Sequence, residues 1–199
     1  MPRPSLHDEA RILSAASALV AEGGPAAATI AAISKASGAG NGSIYHRFGS
    51  RDQLLGRLWL DKAAQFQDRF ERALAGPDAR LAGLEAALSL PRAVRADPEG
   101  ARIMLLHRRD DFLSAGWPDE MKREAKRLAV QVTRVLDDAA VRLFGSRSAD
   151  AKRATIFALL DIPFSAVHRY VANGKAPPKE LDRLITTAYE AVVDAGAPA

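Results

Sequence analysis

The chain has no cysteine among its 199 residues, and only 6% of them are aromatic. The first absence removes disulfides, thiolate metal clusters and a cysteine nucleophile. No stretch reaches the roughly 18–20 consecutive uncharged apolar residues that a membrane-spanning helix needs. The opening run Met1-Pro2-Arg3-Pro4-Ser5-Leu6-His7-Asp8-Glu9 lacks the apolar centre of a signal peptide. The expected location is therefore the cytoplasm, with no membrane partner. Charge of one sign is also in short supply. With 28 bases against 24 acids the net charge is +4, which permits an anionic partner without demanding one.

Catalytic and metal-binding patterns are missing as well. The four histidines, His7, His46, His107 and His168, are too far apart for any two to share a helical face as ligands. There is no Gly-x-Ser-x-Gly elbow and no glycine loop followed by Lys-Ser or Lys-Thr. Asp137 and Asp138 are adjacent, so they point in different directions on a helix. The expectations are no enzyme activity, no cofactor and no metal.

What is present is helix after helix. Hydrophobic residues make up 48% of the chain, and alanine, the strongest helix former, is the commonest residue. Runs of β-branched residues are nearly absent. Ile12, Ala16, Leu19 and Val20 recur at helical spacing over about 6–22, and Gly23-Gly24-Pro25 stops them. Thr29 predicts the N-cap of a short second helix, broken at Ser37-Gly38-Ala39-Gly40, and a third runs from Asn41 to Phe48. Ser50 caps a long helix to about 75. Residues 78–96 read as helical but kinked or divided at Pro91, and Asp97-Pro98 opens the next. Met121, Ala125, Leu128, Val132, Val135, Ala139 and Leu143 mark another helix, closed by Gly145. Two more follow at about 149–173, with Pro163 inside, and 178–195. The fold class is all-α with about nine helices.

The segment 29–48 is two short helices joined by a glycine-containing turn, the pattern of a helix-turn-helix. Ile33 and Ile44 should pack this pair against Ile12, Leu19 and Leu55, leaving the other side outward. In such units the N-terminal part of the second helix faces base edges in the major groove. Asn41 carries an amide suited to adenine, and the Ser43 hydroxyl suits a base or a phosphate. Tyr45, His46, Arg47 and Arg51 offer phosphate donors. The candidate DNA-binding set is Thr29, Asn41, Gly42, Ser43, Tyr45, His46, Arg47 and Arg51. From 23 to 51 there are three bases and no acid, and Arg3 and Arg11 could add phosphate contacts.

Thr29-Ile30, Ile33, Gly38, Gly42-Ser43-Ile44-Tyr45, Phe48-Gly49-Ser50-Arg51 and Leu54-Leu55 resemble the DNA-binding segment of the tetracycline-repressor-like (TetR) family, over about 10–57. Ser34 and Ser37 stand where the family often has alanine. Gly40 replaces a capping serine or threonine, Arg47 a frequent histidine, and Arg51 a lysine. The resemblance implies a DNA-binding domain at 1–51 and a helical effector-binding and dimerisation domain at 52–199. It further implies a homodimer paired through helices 149–173 and 178–195. The partners would be a palindromic double-stranded DNA operator and a small hydrophobic or amphipathic effector that releases a repressor. A regulator without an effector, or an activator, is the alternative. Candidate effector contacts are the aromatic, methionine and histidine positions Trp59, Phe66, Met104, His107, Phe112, Trp117, Phe157, Phe164 and His168.

Overall fold

The computed structural model describes residues 6–112 and 114–196. Among them there is no strand, and no helix is long and apolar enough to cross a membrane. Three helices build the N-terminal unit: α1 (Leu6–Gly23), α2 (Ile30–Ser37) and α3 (Asn41–Phe48). A single tight turn, Pro25–Ala27, separates the first two. Then come α4 (Arg51–Leu74), α5 (Ala79–Ala96), α6 (Pro98–Leu106) and α7 (Asp119–Phe144). Residues 149–172 form one rod, α8, and α9 (Glu180–Gly196) closes the described chain. Counting that rod once, the described residues hold nine helices, as the periodicity predicts.

Local chemistry sets most helix ends. The side chains of Thr29, Ser50, Asp78, Asp97 and Ser148 each accept a backbone N–H three residues on, which satisfies donors that the first turn leaves open. Gly38 ends α2 with φ +71°, a left-handed conformation that glycine adopts without steric cost.

The two proline expectations resolve differently. Pro91 is buried inside α5, which continues through it from Ala79 to Ala96, so the helix is not divided there. Pro163 follows a π-turn at Phe157–Asp161, where the hydrogen-bonding register widens by one residue. That turn rotates Leu159 and Leu160 relative to the helical stretches on either side.

Two main cores result. Ile12, Ala16, Val20, Ile33, Ile44, Phe48, Leu54, Leu55 and Leu58 pack the N-terminal unit, with Leu19 at its edge. Ile103 and Phe112 from the middle of the chain enter the same cluster. The second core joins α4, α5, α7, α8 and α9 through residues such as Ala86, Val94, Leu159, Val167, Ile185 and Tyr189. α4 belongs to both: its first two turns seal the first core, and Phe66 and Phe70 face the second.

Candidate nucleic-acid interface and effector cavity

Ile44 and Phe48, four residues apart, lie on one face of α3 and are buried in the first core. Their burial turns the rest of this short helix outward. Asn41, Gly42, Ser43, Tyr45 and His46 are all exposed, with Tyr45 at 51%. Thr29 is exposed too, its Oγ1 accepting the Ala32 N–H at 3.1 Å. An exposed row of this kind on the second helix of a glycine-turned pair is what a major groove accepts.

The turn is held by two serines whose role the sequence does not announce. Ser34 Oγ donates to the Ala39 carbonyl at 2.7 Å, and Ser37 Oγ accepts the Ala39 N–H at 3.2 Å. Both backbone groups of Ala39 are thereby satisfied beside Gly40, which caps α3 without a side-chain bond. The two serine departures thus brace the turn where the glycine departure leaves it weakest.

Two arginines are placed less openly than their charge suggests. Arg47 is only 12% exposed and pairs with Asp8 at 3.2 Å, with its Nε buried and unpartnered. Asp8 also meets Arg11 at 3.2 Å, so one carboxylate sits between two candidate phosphate donors. Arg51 donates from Nε to the Ala28 carbonyl at 2.9 Å and from a terminal nitrogen to the Pro25 carbonyl. It braces the 25–28 turn against α4. Arg3 lies outside the described residues.

Further along α4 the body encloses a cavity of about 480 Å³, within the range of small-molecule sites. Trp59, Ala63, Phe66 and Phe70 of α4 form one wall, and Ala86, Ser89, Leu90 and Ala93 of α5 another. Met104, Arg109, Leu128, Val132, Leu159 and Leu160 are also in its lining. Trp59, Phe66 and Met104 are therefore gathered as expected positions. The other six candidates lie elsewhere. Phe112 is buried in the first core, and Trp117 packs against Gly56, Leu60 and Ala125. His107 is half-buried, with its ring edge-on to Phe112 and close to Gly24. Phe157, Phe164 and His168 follow one another at seven and four residues on the outer face of α8, all exposed. The spacing puts these three on one side of the rod, while Leu159 and Leu160 line the cavity on another. The aliphatic lining from α5, α7 and α8 carries no distinguishing sequence signal, because it reads as ordinary core.

Three links tie the cavity region to the head. Arg102 of α6 donates to the Ala21 carbonyl of α1 at 2.6 Å and to the Val171 carbonyl of α8 at 3.2 Å. Both acceptors are last-turn carbonyls; that of Ala21 is left open by its helix, and that of Val171 also accepts the Gly174 N–H at 3.0 Å. Lys62 of α4 holds Asp97 at the start of α6, 2.7 Å away. Burial resists ionisation of Asp97, but Lys62 and the Gly100 N–H outweigh it and hold the carboxyl below its usual range. Arg57 of α4 bonds both Asp61 and Glu124 of α7.

An outward reading helix braced on a shared long helix is the arrangement of a helix-turn-helix DNA-binding unit. Residues 12–58 match the family of bacterial regulatory proteins described as the tetR family. Three solved structures show the same fold over nearly the whole chain. The transcriptional regulator FadR from Bacillus subtilis, in complex with stearoyl-CoA, has a TM-score of 0.70 at 20% identity, covering 92% of this chain and 97% of its own. A TetR-like regulator from Rhodococcus sp. RHA1 has a TM-score of 0.71 at 16% identity, covering 98% of each chain. The fatty acid degradation regulator FadR from Bacillus halodurans scores 0.68 at 18% identity, covering 92% of this chain and 97% of its own. Among curated protein sequences none matches. Residues 12–58 thus match the DNA-binding segment of that family, and the chain as a whole shares the fold of TetR-like regulators.

Proposed function

We propose that the protein is a ligand-responsive repressor, with residues 1–51 as its DNA-binding domain and 52–199 as its effector-binding and dimerisation domain. Acting in the cytoplasm, it binds a palindromic operator as a homodimer and is released by a small hydrophobic or amphipathic effector. The observation that carries this reading is the apolar cavity on α4, the same helix whose first turns seal the reading head. A helix shared in this way converts a change in the cavity wall into a change in head position. An effector acts only through a difference in affinity between the DNA-competent and the released state.

Dimerisation through α8 and α9 is supported by the apolar side chains they leave in solvent. Ile156, Phe157 and Phe164 of α8 and Leu184 of α9 are all exposed large hydrophobics. Pairing two copies sets two reading helices about 34–36 Å apart, the spacing of successive major grooves. Base contacts come from Asn41 and Ser43, and Thr29, Gly42, Tyr45 and His46 border the backbone. Arg47 and Arg51 adjoin the same surface. The Bacillus subtilis regulator, a neighbour of this fold, was solved in complex with stearoyl-CoA, an amphipathic molecule.

Operator affinity measured with and without saturating effector tests the reading. A drop of tenfold or more on adding effector is expected, and equal affinities would remove effector control. Light scattering at micromolar concentration should show a dimer.

A further inference from the structure

We infer that the cavity takes an apolar chain ending in an anion, a carboxylate or a phosphate, with Arg69 and Arg109 as its anion seats; this rests on the effector reading above. No aspartate or glutamate lines the cavity. Four polar side chains do: Gln67, Ser89, Arg69 and Arg109. Two of these have their donors committed nearby. Gln67 Nε2 donates to Glu71 at 2.7 Å, and Ser89 Oγ donates to the Ala86 carbonyl at 2.6 Å. The charged donors left to a ligand are the two guanidinium groups, both on exposed residues at the cavity's rim.

Both lie against the aromatic wall. The Arg109 guanidinium carbon is 6.0 Å from the Trp59 ring centre, and that of Arg69 is 5.9 Å from the Phe66 ring centre. A cation–π contact of this kind places a guanidinium beside an apolar surface without consuming its N–H groups. Neither forms an ion pair with a described residue. Asp97 lies within the field of Arg69, but its carboxylate already binds Lys62 and the Gly100 N–H. Trp59 and Phe66 are seven residues apart on α4, roughly 10 Å along the axis, so the arginines mark two separate places on the wall.

The chemistry then selects the ligand. An apolar wall rewards a hydrocarbon chain, but a polar head brought out of water must recover its hydrogen bonds. An ammonium would meet two like charges. A hydroxyl brings no charge to match the guanidinium groups. A carboxylate or phosphate accepts paired, charge-assisted bonds from the planar fork.

The test titrates the full-length protein by calorimetry with dodecanoate, dodecyl phosphate, dodecanol and dodecylamine, extended to octyl and hexadecyl chains. At least one anion should bind tenfold or more tightly than the alcohol, with the amine weakest. The ratio of carboxylate to phosphate affinity tells which head fits. Removing one methylene should weaken binding about fourfold. Arg69→Gln or Arg109→Gln should reduce the anion preference, and the double variant should abolish it, with helical circular dichroism unchanged. Equal binding of the alcohol or amine, no binding of any of the four classes, or an anion preference that survives in the double variant would overturn the inference. If the anions bind as described but operator affinity does not change, effector control fails and the anion site stands.

Discussion

Ile44 in the reading head and Leu160 in the body are both apolar residues on helices, yet one is sealed and the other borders empty space. Around Ile44 the helix ends and the turn are determined locally. Thr29 and Ser50 cap the flanking helices, Ser34 and Ser37 satisfy Ala39, and Gly38 supplies the left-handed turn. Around Leu160 five helices converge without closing, and a π-turn forms part of the wall. A unit that must present one fixed surface to DNA gains from a closed core. On the effector reading proposed above, a unit that admits a ligand keeps unpaired wall instead.

The largest effect should come from truncating each side of this contrast. Ile44→Ala deletes fully buried atoms from a closed core and should cost about 2–5 kcal/mol, with operator binding lost. Leu160→Ala removes a side chain that already lacks partners on one side, and should cost less than about 1 kcal/mol. Urea unfolding of both variants checks this. Equal costs would mean that the cavity wall is as tightly packed as the head.

Next in size is an alkaline effect in the closed part of the body. The Tyr189 hydroxyl is buried beside Gly83 and donates to the Arg80 carbonyl at 2.8 Å. Burial pushes its pKa from 10.0 up to about 12. The folded state thus favours the protonated phenol. Its stabilisation is fully present below pH 10 and is lost as pH rises through 12. About 2–3 kcal/mol should disappear over that window, and Tyr189→Phe should flatten this part of the stability profile.

A smaller effect separates contact from support within the head. Tyr45→Ala removes an exposed side chain, so it should weaken binding to all operator sequences while thermal stability is unchanged. Arg51→Ala should also lower stability, by about 1–3 kcal/mol, because two carbonyls of the 25–28 turn lose their donor. If Arg51→Ala alters only the salt dependence of binding, the arginine serves phosphate and not the turn. The smallest change should be Gly40→Ser. A Cβ at Gly40 meets nothing within 4 Å, and a serine there can cap α3 for a few tenths of a kcal/mol in melting experiments.

The head was more legible than the body for a physical reason. Thr29, Gly38, Gly40 and Ser50 set helix ends through bonds to residues no more than five positions away, so a linear reading recovers them. Ile33, Ile44 and Phe48 follow from spacing on one face. Arg47 and Arg51 escaped that reading because their partners, Asp8 and the 25–28 carbonyls, come from other elements. In the body the aromatic residues misled. Aromatic character marks a side chain that needs cover, and Phe112 and Trp117 found it in packed clusters while Phe157 and Phe164 did not.

By itself, then, the sequence determined an all-helical chain, the order and limits of its helices, and an outward row on a glycine-turned helix pair. Those depend on propensity, capping and periodicity, which act over a turn or two. Only the tertiary structure decided where the cavity lies, which leucines line it, that Arg69 and Arg109 lie against its wall, and that Arg102 joins α1 to α8. Each of these is set by how helices far apart in sequence meet, and a helix's own pattern says which face is apolar but not what covers it.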